Sequence, residues 1–104
     1  MSLPEELINA FEIFPDVTDH ADLMHRTAIA AANLSELSPD RRVEVAAAID
    51  ELLSGYREGG WEPGVIEPIE YASNVRWQGK HAEELREVLA EILACLRDSG
   101  PGGG

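Results

Sequence analysis

Residues 61–77 read WEPGVIEPIEYASNVRW and decide how many long helices the chain can form. The stretch holds both tryptophans and one of the two tyrosines of the 104-residue chain, together with two prolines and a glycine. One continuous helix is excluded because proline lacks the backbone N–H donor and its ring clashes with the preceding turn. We therefore expect an irregular aromatic segment, with a short extended piece near Val65 and one or two helical turns over 69–76.

Apolar residues at helical spacing predict four helices outside this segment, over residues 4–14, 19–37, 39–58 and 80–97. The expected N-terminal caps are Ser2 (a capping box with Glu5), then Thr18 or Asp19, then Ser38 before a proline. Two glycines at 59–60 are expected to end the third helix. Alanine runs at 28–32 and 46–48 predict that the second and third helices form a close antiparallel hairpin.

Together these patterns predict an all-α fold, a four-helix bundle-like domain with a long irregular Pro/Gly/aromatic segment between the third and last helices. The domain is expected to cover residues 1–99, and the glycine-rich residues 100–104 are expected to form a flexible tail.

Charge is the strongest compositional signal, because 20 acidic and 8 basic side chains give a formal net charge of −12. Direct binding to nucleic acid or to an anionic membrane is therefore disfavoured, and a basic protein partner is favoured. The single cysteine, Cys95, excludes an intramolecular disulfide, and no apolar run is long enough to cross a membrane. The N-terminus does not resemble a signal peptide, so we expect a cytoplasmic protein.

The aromatic segment is the candidate partner-binding surface. A buried tryptophan removes about 150–250 Å² from water, so at least one of the two should fill the space between the third and last helices. The other is expected at a surface, because tryptophan, tyrosine and arginine carry much of the energy of protein interfaces. The predicted partner-binding residues are Trp61, Glu67, Glu70, Tyr71, Arg76 and Trp77.

The resulting prediction is a small acidic interaction or regulatory module without catalytic activity, metal or cofactor. One alternative is an acidic inhibitor of a basic partner, such as an immunity protein, an antitoxin or a DNA mimic. A second is a helical metal-dependent hydrolase, which would need Asp22, His25 and either Glu84 or Glu87 to converge in one cleft. A homodimer formed through the apolar stripe of the last helix is the alternative assembly.

Overall fold

The computed structural model describes residues 3–98 of the chain. Its regular structure consists of α1 (Glu5–Ala10), a 3₁₀ turn (Phe11–Ile13), α2 (His20–Ser35), α3 (Pro39–Ser54), α4 (Glu67–Ser73) and α5 (Lys80–Asp98). The all-α prediction is confirmed, with five α-helices in the described part of the chain rather than four, since α4 forms inside the aromatic segment. None of the helices over residues 3–98 is both long and apolar enough to cross a membrane. The tail predicted at 100–104 lies outside the described residues.

Local sequence determines where α2 and α3 begin. The Asp19 carboxylate accepts a hydrogen bond from the backbone N–H of Asp22 at 2.8 Å, and the Ser38 hydroxyl accepts one from that of Arg41 at 3.4 Å. Both caps satisfy backbone donors that have no partner within the first helical turn. α1 instead follows Pro4 without a side-chain cap. The capping box predicted at Ser2 involves a residue outside the described range.

The third helix ends four residues earlier than predicted, at Ser54. The indole Nε1–H of Trp61 donates a hydrogen bond to the backbone carbonyl of Leu52 at 2.6 Å, which satisfies an acceptor in the last turn. The chain then reverses where Arg57 and Gly60 exchange backbone hydrogen bonds of 2.7 and 2.8 Å. Gly59 and Gly60 therefore form the turn after the helix, with φ of 91° and 134°, rather than its end.

α5 is the central helix, and α2 and α3 both pack along it. The predicted apolar stripe of α5 is confirmed, and two further side chains extend it into a broad buried face made of Ala82, Leu85, Val88, Leu89, Ile92, Leu93 and Leu96. The predicted hairpin is wrong, since α2 and α3 have little direct contact with each other. The two helices bury one apolar stripe each, made of Leu23, Ala30, Ala31 and Leu34 in α2 and of Val45, Ile49 and Leu52 in α3. The alanines at 28, 32 and 47 remain exposed.

α1, the 3₁₀ turn and α4 close one end of this three-helix core. Phe11 and Phe14 are fully buried there, with ring centroids 5.0 Å apart. Phe14 also packs edge to face with Trp77, with ring centroids 6.3 Å apart and an interplanar angle of 78°. The aromatic segment is therefore attached to the core through Trp77, together with the buried side chains of Ile66 and Ile69.

Candidate functional site

Trp77 anchors the C-terminal end of the aromatic segment in the core. Its side chain is only 2% exposed, and its indole Nε1–H donates to the Ser73 hydroxyl at 2.9 Å. That hydroxyl donates in turn to the backbone carbonyl of Ile69 at 2.7 Å. The backbone N–H of Trp77 donates to the Glu70 carboxylate at 3.0 Å. These bonds join the loop after α4 to the helix itself, and they fix the position of α4 relative to the buried Trp77.

Asn74 ends α4 in the left-handed conformation, with φ of 55°. Asparagine tolerates this region better than most residues other than glycine. The chain can thus turn back beneath α4 within three residues and reach the buried position of Trp77.

The α4 groove is an open surface depression of about 710 Å³ between α4 and the segments on either side of it. It contains four of the six predicted partner-binding residues. Its complete lining consists of Pro63, Gly64, Glu67, Glu70, Tyr71, Asn74, Val75, Arg76 and Gln78. Tyr71 is 86% exposed, the highest exposure of any large hydrophobic side chain in residues 3–98. The groove thus combines an exposed phenol ring with carboxylates and a guanidinium.

Trp61 lies at a separate depression, the Trp61 pocket, which has a volume of about 280 Å³. Its lining residues are Glu51, Leu52, Gly55, Arg57, Trp61, Glu62 and Val65. The Trp61 ring is partly buried and meets Tyr56 edge to face, with centroids 5.0 Å apart. Neither tryptophan lines the α4 groove, so the six predicted residues divide among a groove, a pocket and a buried support.

Several lining residues were not among the six predicted ones, and Asn74 and Gly55 show how differently the sequence signals them. Asn74 gave a recognisable signal, since asparagine is one of the few residues that end helices in the left-handed region. Gly55 gave none, because the apolar pattern of α3 continues past it to Tyr56 and the double glycine at 59–60 is the stronger stop signal.

The carboxylates proposed for a metal-dependent hydrolase do not share one cleft. Asp22 accepts from the backbone N–H of Thr18 at 3.1 Å and pairs with Arg26 at 3.1 Å. The Thr18 bond, followed by the guanidinium of Arg26, holds the pKa of Asp22 below its ordinary value. Elsewhere, Glu87 contacts His20 at 2.6 Å and Glu84 contacts His81 at 2.6 Å.

His25, the remaining residue of the predicted hydrolase set, is exposed on α2. Across residues 3–98, no group of three or more histidine, cysteine, aspartate or glutamate side chains is placed to hold a metal ion. Cys95 is partly buried, and desolvation, followed by the charges of nearby acids, raises the pKa of its thiol. A raised pKa disfavours the thiolate, so nothing at this position favours nucleophilic chemistry.

Comparison with known proteins finds no matching family model, no matching curated protein and no matching solved structure. The function is therefore inferred from the net charge, the α4 groove and the Trp61 pocket.

Proposed function

We propose that the chain is a non-catalytic interaction module that binds a basic protein through the α4 groove. The observation that carries this proposal is the position of Tyr71, which is 86% exposed at the edge of the groove. Tyr71 lies on α4, and the hydrogen bonds of the buried Trp77 tie that helix to the core. We further propose that the interaction takes place in the cytoplasm, because a single cysteine cannot form the intramolecular disulfides that are typical of small secreted domains.

The exposure of Tyr71 favours a binding role because of where the ring lies. Single exposed apolar side chains are common, and Ile29 and Val43 are also exposed, at 41% and 64%. Neither of these two lines the groove, whereas Tyr71 borders it beside Glu67 and Arg76. An aromatic ring with two side-chain torsions loses little conformational entropy on binding, and its hydroxyl can still form a hydrogen bond.

The charge favours a basic partner. The net charge of −12 attracts a positive surface from a distance and speeds the encounter. Within the groove, Glu67 is exposed, and Glu70 accepts the bond from the Trp77 backbone through one carboxylate oxygen. Arg76 is exposed at the same groove and can donate to a carboxylate or carbonyl at the edge of the contact.

An acidic inhibitor is the more specific form of the same proposal, and the net charge is the observation that favours it. An inhibitor would cover the basic active site of its partner and abolish that partner's activity. An adaptor would bind the partner and leave its activity intact. Assaying the captured partner with and without a molar excess of this chain separates the two forms.

The test is affinity capture from lysate of the source cell by the wild type and by the variants Tyr71→Ala and Val43→Ala. Val43 is the matched control, since it is an exposed apolar side chain on α3 away from the groove. We expect the wild type and Val43→Ala to retain the same basic protein at about 0.05 M salt, and Tyr71→Ala to lose it. At about 0.5 M salt the wild type should lose it too, because the Debye length falls to a few ångström.

Urea unfolding should show that both variants are as stable as the wild type to within about 0.5 kcal/mol, as is usual for exposed positions. Equal capture by Tyr71→Ala and by the wild type would contradict the assignment of the α4 groove. Capture of an acidic protein, retained at high salt, would contradict the proposed role of the charge.

A further inference from the structure

We propose that the Trp61 pocket binds the cationic end of a lysine or arginine side chain. The identity of the partner that supplies this side chain rests on the proposed function, whereas the pocket's preference for an organic cation does not. At about 280 Å³ the pocket is smaller than most drug-sized sites, which run from about 300 to 1,000 Å³. Its size is suited to one side chain rather than to a helix or a folded loop.

The aromatic wall of the pocket is fixed before any ligand arrives. The indole Nε1–H of Trp61 is bonded to the carbonyl of Leu52 at 2.6 Å, and Tyr56 packs against the ring at an interplanar angle of 74°. A cation that entered the pocket would find an indole already oriented, so little ordering would be needed on binding. Indole is the aromatic side chain that attracts cations most strongly.

The neighbouring ring already makes this kind of contact within the chain. The guanidinium carbon of Arg86 lies 5.3 Å from the centroid of the Tyr56 ring, within the range of cation–π attraction. Tyr56 therefore has an internal cation, whereas Trp61, the other member of the pair, lines an open pocket.

The charges at the pocket also favour a cation. Glu51 and Glu62 are exposed carboxylates at its edge, and Arg57 is the opposing charge. The guanidinium of Arg57 donates to the backbone carbonyl of Tyr56 at 3.4 Å. The local excess of one negative charge adds to the field of a chain with a net charge of −12. An anionic ligand would be opposed by both, and a cationic one attracted by both.

Gly55 keeps the pocket open without any conformational need for glycine. Its φ of −86° is negative, so no left-handed backbone conformation requires glycine at this position. A Cβ atom there would meet the carbonyl oxygens of Glu51 and Leu52 at 3.6 Å and Cδ1 of Trp61 at 3.9 Å, which are ordinary contacts. A side chain at position 55 would therefore fill space beside the indole without straining the backbone.

The experiment follows the two indole N–H signals in a ¹H–¹⁵N NMR spectrum during titration. The probes are N-acetyl-lysine methylamide, N-acetyl-arginine methylamide and the uncharged analogue N-acetyl-norleucine methylamide, which keeps the four-carbon chain of lysine and lacks its ammonium group. We expect both cationic probes to shift the Trp61 signal saturably, and the uncharged probe to leave it unchanged. Trp77 is the internal reference, since its buried indole is bonded to Ser73 and should not respond.

The blocking variant is Gly55→Leu, and its matched control is Ser54→Leu, an exposed neighbour at the end of α3 that does not line the pocket. We expect Gly55→Leu to weaken binding of the cationic probes at least about tenfold, the loss of one good contact. Ser54→Leu should bind them as the wild type does. The paired change Glu51→Gln with Glu62→Gln should weaken binding of the cations while leaving the Trp77 signal in place.

An equal response to the norleucine probe would overturn the proposed recognition of charge, and unchanged binding in a folded Gly55→Leu variant would overturn the site. If Gly55→Leu does not fold, Gly55→Ala places a smaller group at the same point and is read in the same way. Since no partner protein is needed, binding of the lysine or arginine probe would stand even if the capture experiment with Tyr71→Ala failed.

Discussion

The Ser73 hydroxyl makes two short hydrogen bonds, and a longer one of 3.5 Å to the carbonyl of Glu70, in a place that water does not reach. It donates to the carbonyl of Ile69 and accepts from the indole of Trp77, and the serine is fully buried. A buried donor that loses its only acceptor keeps the full penalty of desolvation, which is larger than the net contribution of an average hydrogen bond. The Ser73 hydroxyl therefore helps to hold Trp77 in position, together with the Glu70 carboxylate and the packing against Phe14.

Replacing Ser73 by alanine should destabilise the protein. The change leaves the indole N–H of Trp77 without this acceptor, so we expect a loss of about 1–3 kcal/mol in the free energy of unfolding. Urea unfolding followed by tryptophan fluorescence measures it. Ser54→Ala is the control, since that serine is exposed at the end of α3 and its change should alter stability by less than about 0.5 kcal/mol. A loss no greater than the control's would show that Trp77 finds another acceptor.

At this scale the sequence predicted what is local and missed what depends on packing. Asp19 and Ser38 cap their helices as expected, because a cap needs only a side chain and a backbone N–H three residues later. It also predicted that at least one tryptophan would be buried. The sequence did not show which of the two tryptophans is buried, because Trp77 packs against Phe14, which lies 63 positions away along the chain.

Among the helices, α1 and α3 are tied by one ion pair. The Arg41 guanidinium donates to both carboxylate oxygens of Glu6, through Nε at 2.6 Å and Nη2 at 2.7 Å. It also contacts Glu44 on its own helix. The hydrogen bonds from Arg41, with a smaller contribution from the backbone of Glu6, lower the pKa of Glu6 from its ordinary 4.5 to about 2. The pair fixes a short helix that has no side-chain cap.

This lowered pKa predicts how stability responds to acid. The folded state binds a proton at Glu6 less readily than the unfolded state, so the carboxylate stabilises the fold at every pH above the unfolded pKa. That stabilisation is lost as the pH falls from about 4.5 toward about 2. We therefore expect the wild type to unfold at higher urea than Glu6→Gln at about pH 6, and the difference to shrink steadily between those two limits.

Urea midpoints at about pH 6, 4 and 2.5 measure this effect. Glu58→Gln is the control for the loss of one negative charge, since Glu58 is exposed in the turn after α3. A difference between wild type and Glu6→Gln that stayed constant over this range would show that the ion pair does not lower the pKa of Glu6.

The end of α3 and the packing partner of α2 and α3 could not be predicted from the sequence, because both depend on contacts between distant parts of the chain. The apolar pattern of α3 runs on to Tyr56, but the helix stops at Ser54, after which Trp61 folds back to bond the carbonyl of Leu52. The alanines of α2 and α3 predicted a direct hairpin, but α5 presents the broader apolar face and both helices pack on it. Periodicity shows which face of a helix is apolar and does not show which other helix covers it.

For the whole molecule, the excess of acid has two opposite consequences. It favours the encounter with the basic partner proposed above, and it also makes the folded chain repel itself, because folding brings the carboxylates closer together. The ion pairs offset little of this repulsion. Those joining separate helices, such as Asp50 with Arg97 at 3.8 Å, are partly or largely exposed to solvent, and exposed pairs contribute at most about 1 kcal/mol.

Added salt should therefore stabilise the free protein while weakening its binding to a basic partner. Raising NaCl from about 0.02 to about 0.5 M shortens the Debye length severalfold and screens repulsion across the molecule, so the urea midpoint at about pH 7 should rise. The control is the same titration near the isoelectric point of about 4.4, where the net charge is close to zero and the rise should disappear. An equal rise at both pH values would assign the effect to strengthened burial of apolar surface rather than to charge. A fall of the urea midpoint at about pH 7 would mean that screening weakens ion pairs such as Glu6 with Arg41 more than it weakens the repulsion. The carboxylates would then be spaced too widely for their mutual repulsion to destabilise the fold.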